Sequence, residues 1–472
     1  MRRIIATAFG SSSTLTPLKA SRSLPTLCLI FVAFTASISA QTRTAYSLTA
    51  TDDAFLEDLS KRSFRFFWEQ ADPETGLVAD RARANGKPYD DSHPSNSVAS
   101  SAATGFGLTA LCIAAERGWI ERQAARERVL TTLRFYAERS PQEHGWFYHF
   151  VDRTTGERKW RSEISTIDTA LLLGGVLTAR QYFHQDPEIV RVATAIYERI
   201  DFPWMLVGDS LRLSHGWRPE SGFIKHSWNH YSEHTILQLL AIGSPTHPIN
   251  PGAWTAWQRL HLTFAGYTYL TFRHAPLFIH QYSHAWVDYR GQEESWYPYT
   301  NYFENSVKAT LAHKEFCLSL SDKFPGYMEN VWGITASDGA KGYRAWGGPP
   351  PTPDIDGTVV PCAAGGSLMF TPEITLAALK TMHERWGDRI YDHYGFVDAF
   401  NPNNGWVNRD VIGIDVGITL ISAENLRTGN VWRWFMRNKE IPKAMRLVGF
   451  RKSQRIHRLR RLPRLETRKQ AA

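Results

Sequence analysis

The stretch TIDTALLLGGVLTARQYF, residues 166–183, decides how this chain folds. It is long enough for about five helical turns, yet small or apolar side chains occupy nearly every face of the helix it would form. A helix apolar all round has to be covered on both sides. No run of the sequence reaches the roughly 18 uninterrupted apolar residues that a bilayer span requires, so the cover must be protein. Residues 97–116, 232–242, 304–320, 372–386 and 413–427 repeat the pattern. Charge-rich amphipathic segments at 52–70, 121–139, 187–201 and 252–266 alternate with them. Six buried helices inside a ring of amphipathic ones predict an all-α fold, an (α/α)6 toroid, as one domain over residues 51–450.

The ends read differently from this body. Residues 1–40 carry four basic residues and no acid, then the apolar run LCLIFVAF and a small-residue stretch ending at Ala40. That is the pattern of a secretory signal, so an exported, periplasmic or extracellular protein is expected, with 41–50 as a lead-in. Residues 451–472 hold nine Lys/Arg against Glu466, which predicts a solvated, disordered tail able to touch anionic surfaces. The net charge of +8 resides in these two ends, and the body between them is mildly acidic. Without a basic stripe or a nucleic-acid-binding motif in that body, nucleic acid is excluded as a partner. Cys112, Cys317 and Cys362 remain beyond the signal, an odd number with no metal-binding spacing, so neither a disulfide framework nor a metal or other cofactor is expected. The chain is expected to act as a monomer.

The composition also points to a ligand. Aromatic residues make up 13% of the chain, with 17 Trp, many of them in the long segments 140–165, 203–231, 276–303, 332–371 and 395–412. Loops of that length in a domain are commonly functional, and the flat faces of Trp and Tyr suit sugar rings. Filling a large core is the alternative use for any one of these residues. The presumptive inner helices moreover begin with acids: Glu163 and Asp168, Glu233, Glu304, Glu373 and Asp415. Each alone is explained by the helix dipole and free N–H groups. Five acidic starts around one mouth suggest glycoside hydrolysis, which needs one protonated and one ionised carboxyl. Glu233, set between Tyr231, His234 and an apolar helix, suits a raised pKa; Asp415 lies among small residues that leave room for substrate or water.

Long ordered strings, among them SVASSAATGFGLTALCIAAERGW, RSEISTIDTALLLGGVL, YSEHTILQLLAIGSPTHPI, YFENSVKATLAHKEFC and GFVDAFNPNNGWVNRDVIGIDVGITLISAENLRTG, resemble the bacterial glucoamylase-like domain of glycoside hydrolase family 144 and its relatives. The resemblance covers most of residues 56–450. It implies an (α/α)6 barrel, a secreted or periplasmic enzyme and action on β-1,2-linked glucan. It also implies Glu233 as general acid and matches Glu163 and Asp168 to other necessary positions, without fixing which residue activates the water; Glu163 and Asp168 are read here as holding or activating it, with Asp415 in reserve. His234 is a local departure, standing where a small residue is expected. Trp217, His280, Tyr282, Asp338, Tyr343 and Trp346, all on expected mouth loops, are the candidates for contact with an oligo- or polysaccharide. The competing readings are an exo-acting or transglycosylating enzyme on the same glucan, and a catalytically silent glucan-binding protein.

Overall fold

The apolar stretches become helices, though not all in the places expected. The computed structural model describes residues 46–453 apart from 209. The signal segment, and the tail beyond 453, lie outside the described residues. In chain order the helices are α1 (Ala50–Glu69), α2 (Ser101–Glu116), α3 (Arg122–Glu138), α4 (Thr166–Tyr182), α5 (Pro187–Glu198) and α6 (Thr235–Gly243). They continue with α7 (Tyr282–Trp286), α8 (Tyr302–Leu318), α9 (Pro361–Gly365), α10 (Pro372–Ile390), α11 (Gly413–Arg427), α12 (Asn430–Phe435) and α13 (Glu440–Leu447).

Six of these, α2, α4, α6, α7, α9 and α11, are buried on nearly every side. The helices α1, α3, α5, α8, α10 and α13 are covered more on one side and keep charged positions at the surface. The result is an (α/α)6 toroid. Each buried Leu or Ile of the inner ring contributes roughly 1.5–3 kcal/mol on leaving water, which outweighs the weak helix propensity of the many Gly, Thr and Val there.

Two inner positions differ from expectation. Residues 304–320 and 372–386 form the outer helices α8 and α10, and the inner places are taken by the five-residue α7 and α9, inside stretches read as connecting loops. Five residues are too short to display a helical period, so nothing in the local pattern marks them. Residues 252–266 are likewise no outer helix. They hold a 3-10 turn at Pro251–Thr255, then the strand His261–Phe264 paired with Tyr267–Leu270. Ala265 and Gly266 turn that hairpin with positive φ at both positions, as a tight two-residue hairpin requires. On α6 the outer place is filled by α13, whose Glu440 carbonyl lies where a Cβ on Gly243 would fall. The chain from Phe450 to Lys452 is a strand paired with Gln292–Glu294, so the first residues of the basic tail belong to the domain.

Inner and outer helices run in opposite directions. The start of α1 meets the ends of α2 and α11: Glu57 accepts from Trp119 Nε1 at 2.7 Å and from Arg427 Nη1 at 2.8 Å, and Asp53 from Arg427 Nε at 2.8 Å. Outer helices thus begin at one rim and inner helices at the other. At the inner-start rim, short antiparallel ribbons hold the long connections: Val98–Ser100 with Phe150–Asp152, Ile164–Ser165 with Gly216–Trp217, and Arg81–Arg83 with Asp410–Ile412. The toroid centre is filled by Phe106 and Trp286, ring centroids 4.8 Å apart, with Trp286 Nε1 donating to Thr109 Oγ1 at 3.0 Å. The centre of the toroid is therefore closed by side chains.

The closest helix approach is between α2 and α4. A Cβ on Gly175 would stand 2.0 Å from the Gly105 carbonyl oxygen, backbone that cannot yield locally. Gly175→Ala is expected to cost roughly 3 kcal/mol of stability through overpacking. Thermal unfolding monitored by circular dichroism measures it, and an unchanged midpoint would show that the two helices can part.

Candidate active site

The expectation of five acidic helix starts at one mouth is corrected by the opposed directions of the two rings. Glu304 and Glu373 begin the outer helices α8 and α10 and belong to the far rim. Glu373 shares a surface cleft with Tyr46 and Asp52 beside the start of α1. Next to Glu304, Phe303 packs on Trp432 beyond the end of α11. Glu163, Asp168, Glu233 and Asp415 remain at the mouth, in two groups of charge.

The first group grows out of the strand–helix junction before α4. Alternation along the strand puts the side chains of Glu163 and Ser165 on one face, and the first turn of α4 brings Asp168 beside them. Ser165 caps α4, accepting from the Asp168 N–H at 3.2 Å while its hydroxyl donates to the Asp168 carboxylate. His149 bridges the two acids, with Nδ1 3.1 Å from Glu163 Oε1 and Nε2 3.4 Å from Asp168 Oδ1. Arg218 Nη2 donates to the other Glu163 oxygen at 3.0 Å. The His149 hydrogen bond, helped by Arg218 and opposed by burial, pulls the Glu163 carboxyl down to about 2. Burial works against a charge on His149, but Asp168 and Glu163 together outweigh it and raise its pKa. Glu163 is therefore a firmly ionised, poorly basic anchor.

Glu233 lies two residues before α6, in a turn tied to α7 because its carbonyl accepts from the Ser283 hydroxyl. It is 8% exposed. Burial pushes its carboxyl up to about 7; hydrogen bonds from Ser232 and its own N–H oppose this, and the charge of Asp168 adds to it. A carboxyl protonated near neutrality is what proton donation to a leaving oxygen requires.

The second group surrounds Asp415 in the first turn of α11. Tyr282 Oη donates to Asp415 Oδ1 at 3.3 Å, from the first residue of the unexpected inner helix α7. Burial drives Asp415 up to about 6 against the hydrogen bonds of Asp398, Cys362 and Tyr282. Asp398 is raised well above the carboxylate range by burial and by the charges of Asp415 and Asp338. Two buried carboxyls this close cannot both ionise readily, so the pair retains one proton well above the ordinary carboxylate range. Behind Asp398, its Oδ2 accepts from the Asp338 N–H at 2.7 Å and from Asn408 Nδ2 at 3.2 Å, and Arg81 Nη1 pairs with Asp338 at 2.8 Å.

The remaining candidates divide. Tyr282, Asp338 and the half-exposed Tyr343 join the second group, the Tyr343 phenol lying in the fields of Asp415, Asp398 and Asp80. His280 is a core residue, held by Thr271 Oγ1 at 3.2 Å and packed on Tyr231. Trp346 is buried, its ring filling the space beside Gly339, and offers no open face. Trp217 neighbours Arg218 on one strand and so points to the opposite face, against Trp204 with centroids 5.6 Å apart. His234 is sealed between Trp228 and Trp257, so the departure it represents falls in the core. Sequence reasoning missed His149, Arg218, Asp398 and Arg81. Their roles arise from pairing between distant segments, which no local spacing records.

Comparison with known proteins places this arrangement among relatives. A family model described as "Putative glucoamylase" matches residues 225–439. The exo β-1,2-glucooligosaccharide sophorohydrolase (non-reducing end) of Parabacteroides distasonis is 29% identical over 449 residues, covering 87% of this chain. The chain spans 60% of the length of that curated relative. A solved "putative glucoamylase" from Bacteroides uniformis is 30% identical, covers 86% of this chain and is itself 99% covered, with a TM-score of 0.77. The endo-β-1,2-glucanase of Chitinophaga pinensis, solved with sophorotriose and glucose, is 27% identical, with 86% and 99% coverage and a TM-score of 0.78.

Proposed function

Since the chain belongs to the glucoamylase-like family, we propose that it is a glycoside hydrolase cleaving β-1,2-linked glucan with its own carboxyl groups. The observation that carries this reading is two buried acids before or at the starts of inner helices, both raised by burial but to different heights: Glu233 keeps its proton up to about 7, and Asp415 loses its own above about 6. Names of relatives acting on β-1,2-glucans support the linkage.

In this reading Glu233 donates its proton to the glycosidic oxygen as the bond to the anomeric carbon breaks. Asp415 takes the complementary role, drawing a proton from the attacking water while Asp398, Tyr282 and Cys362 hold it. Glu163 and Asp168, clamped by His149 and Arg218, accept hydrogen bonds from sugar hydroxyls and keep negative charge near the cationic transition state. This ordering moves the base from Glu163 and Asp168 to Asp415: a Glu163 carboxylate with a pKa of about 2 is a weak proton acceptor, and Asp168 is held by His149 and Ser165. The basic-then-apolar N-terminal sequence supports export, and among the described residues no helix is long and apolar enough to cross a membrane.

The test is incubation of the purified protein with linear β-1,2-, β-1,3-, β-1,6- and α-1,4-glucans, followed by product sizing. Release of short β-1,2-linked products is expected. Cleavage of starch alone would overturn the linkage, and tight binding without cleavage would favour a silent glucan binder.

A further inference from the structure

Trp160 stands apart from the other tryptophans. Among the described residues, which include all 17, it alone is more than a third exposed, at 49%. It is also held in an unfavourable backbone conformation, with φ of 52° at Trp160 and 49° at Arg161. Left-handed geometry costs roughly 1–2 kcal/mol at each non-glycine residue, and such strain persists only where surrounding structure imposes it.

The imposing structure is the Arg158 side chain. Its guanidinium takes both Glu220 oxygens at 2.6 and 3.1 Å, donates to the Arg161 carbonyl at 2.7 Å and to the Ser162 carbonyl, and lies 5.2 Å over the Tyr148 ring. A forked, planar contact of this kind fixes orientation as well as distance. Ser162 closes the loop onto Phe150, donating to its carbonyl at 2.9 Å and accepting from its N–H at 3.2 Å. The Trp160 ring consequently meets Phe150 edge-on at 5.0 Å, and Phe150 stacks on His149 at 3.7 Å. His149 is the residue that bridges Glu163 and Asp168. His149 and Phe150 thus lead outward from the carboxylates to a half-exposed indole.

We propose that Trp160 is a sugar-stacking platform at an outer subsite of the cleft, taking a glucose unit of the glucan remote from the bond that is cleaved. Arg158 is its positioning residue. The inference rests on the glucanase reading above. Strain and clamp together argue for presentation of the ring: a tryptophan needed only for packing would turn onto Phe150 and bury its face, gaining apolar contact.

The test uses the Glu233→Gln protein, expected to bind with turnover cut about a thousandfold, and calorimetric titration with β-1,2-glucooligosaccharides from the disaccharide sophorose upward. Adding Trp160→Ala is expected to weaken binding of long oligosaccharides about 3- to 10-fold, the range one aromatic stack supplies, and to spare sophorose. Trp160→Phe, which keeps a flat face, should recover most of the affinity. Equal binding at all lengths with and without Trp160, or an equal loss at all lengths, would overturn the inference. The unsubstituted protein separates the two readings: if it cleaves β-1,2-glucan while Trp160→Ala binds like its parent, only the platform fails. If it neither binds nor cleaves that glucan, the glucanase reading fails and the platform with it.

Discussion

In the proposed role of general acid, Glu233→Gln is expected to lower kcat/KM on β-1,2-glucan by roughly a thousandfold and to leave the fold in place. The amide matches the carboxylic acid in shape and can still meet the Ser232 hydroxyl. The pH dependence of the wild-type enzyme follows from the same group. The acid must be protonated, so kcat/KM falls as pH rises through about 7; the base must be ionised, so it falls as pH drops through about 6. A bell with its maximum between these values is expected, and Glu233→Gln removes the alkaline limb from whatever rate remains. The sign for stability is equally definite. The folded-state pKa of Glu233 lies above its ordinary value of 4.5, so unfolding releases its proton and stability declines as pH rises from about 4.5 to about 7. The Gln variant escapes that loss and should melt no lower than wild type at pH 8. More than a tenth of wild-type activity in this variant would remove Glu233 from the role of acid.

Asp415→Asn is expected to lower kcat/KM by roughly a hundredfold to a thousandfold, and to remove the acid limb of the pH profile instead of the alkaline one. The side chain keeps its size, and its carbonyl still accepts from Tyr282. What disappears is the negative charge of the Asp415–Asp398 pair. Glu163→Gln is the comparison that matters. Glu163 is ionised and paired with His149 and Arg218, so its loss should lower the rate less than Asp415→Asn and leave both limbs of the pH profile in place. If Asp168→Asn abolishes the rate while Asp415→Asn leaves it nearly intact, the base is Asp168 and the first group is the reacting one.

Both acids were legible because each stands at the start of a helix with no polar face, where a carboxylate has little structural use. The same signal misled at Glu304 and Glu373. Locally α8 and α10 resemble inner helices, rich in small and apolar residues at their starts, yet they bury mainly one side and begin at the opposite rim. His149 and Asp398 gave no comparable signal. Each sits in an ordinary aromatic loop segment, WFYHF and GFVDAF, and gains its role from a partner 14 or more residues away. Trp217 and Trp346 looked like sugar platforms, whereas the open tryptophan is Trp160, because an aromatic side chain does not declare which of its neighbours will cover it.

The sequence by itself determined the alternation of buried and amphipathic helices, hence the toroid, and it determined which acids open the apolar helices α4, α6 and α11. Those features depend on side-chain periodicity along a single helix, which the chain carries locally. Only the tertiary structure decided which rim each helix faces, that two five-residue helices complete the inner ring, and that Asp398 and Asp415 form one buried carboxyl pair with raised pKa values. These depend on burial and on charges brought together from distant segments, and a carboxylate's pKa belongs to its surroundings more than to its position in the chain.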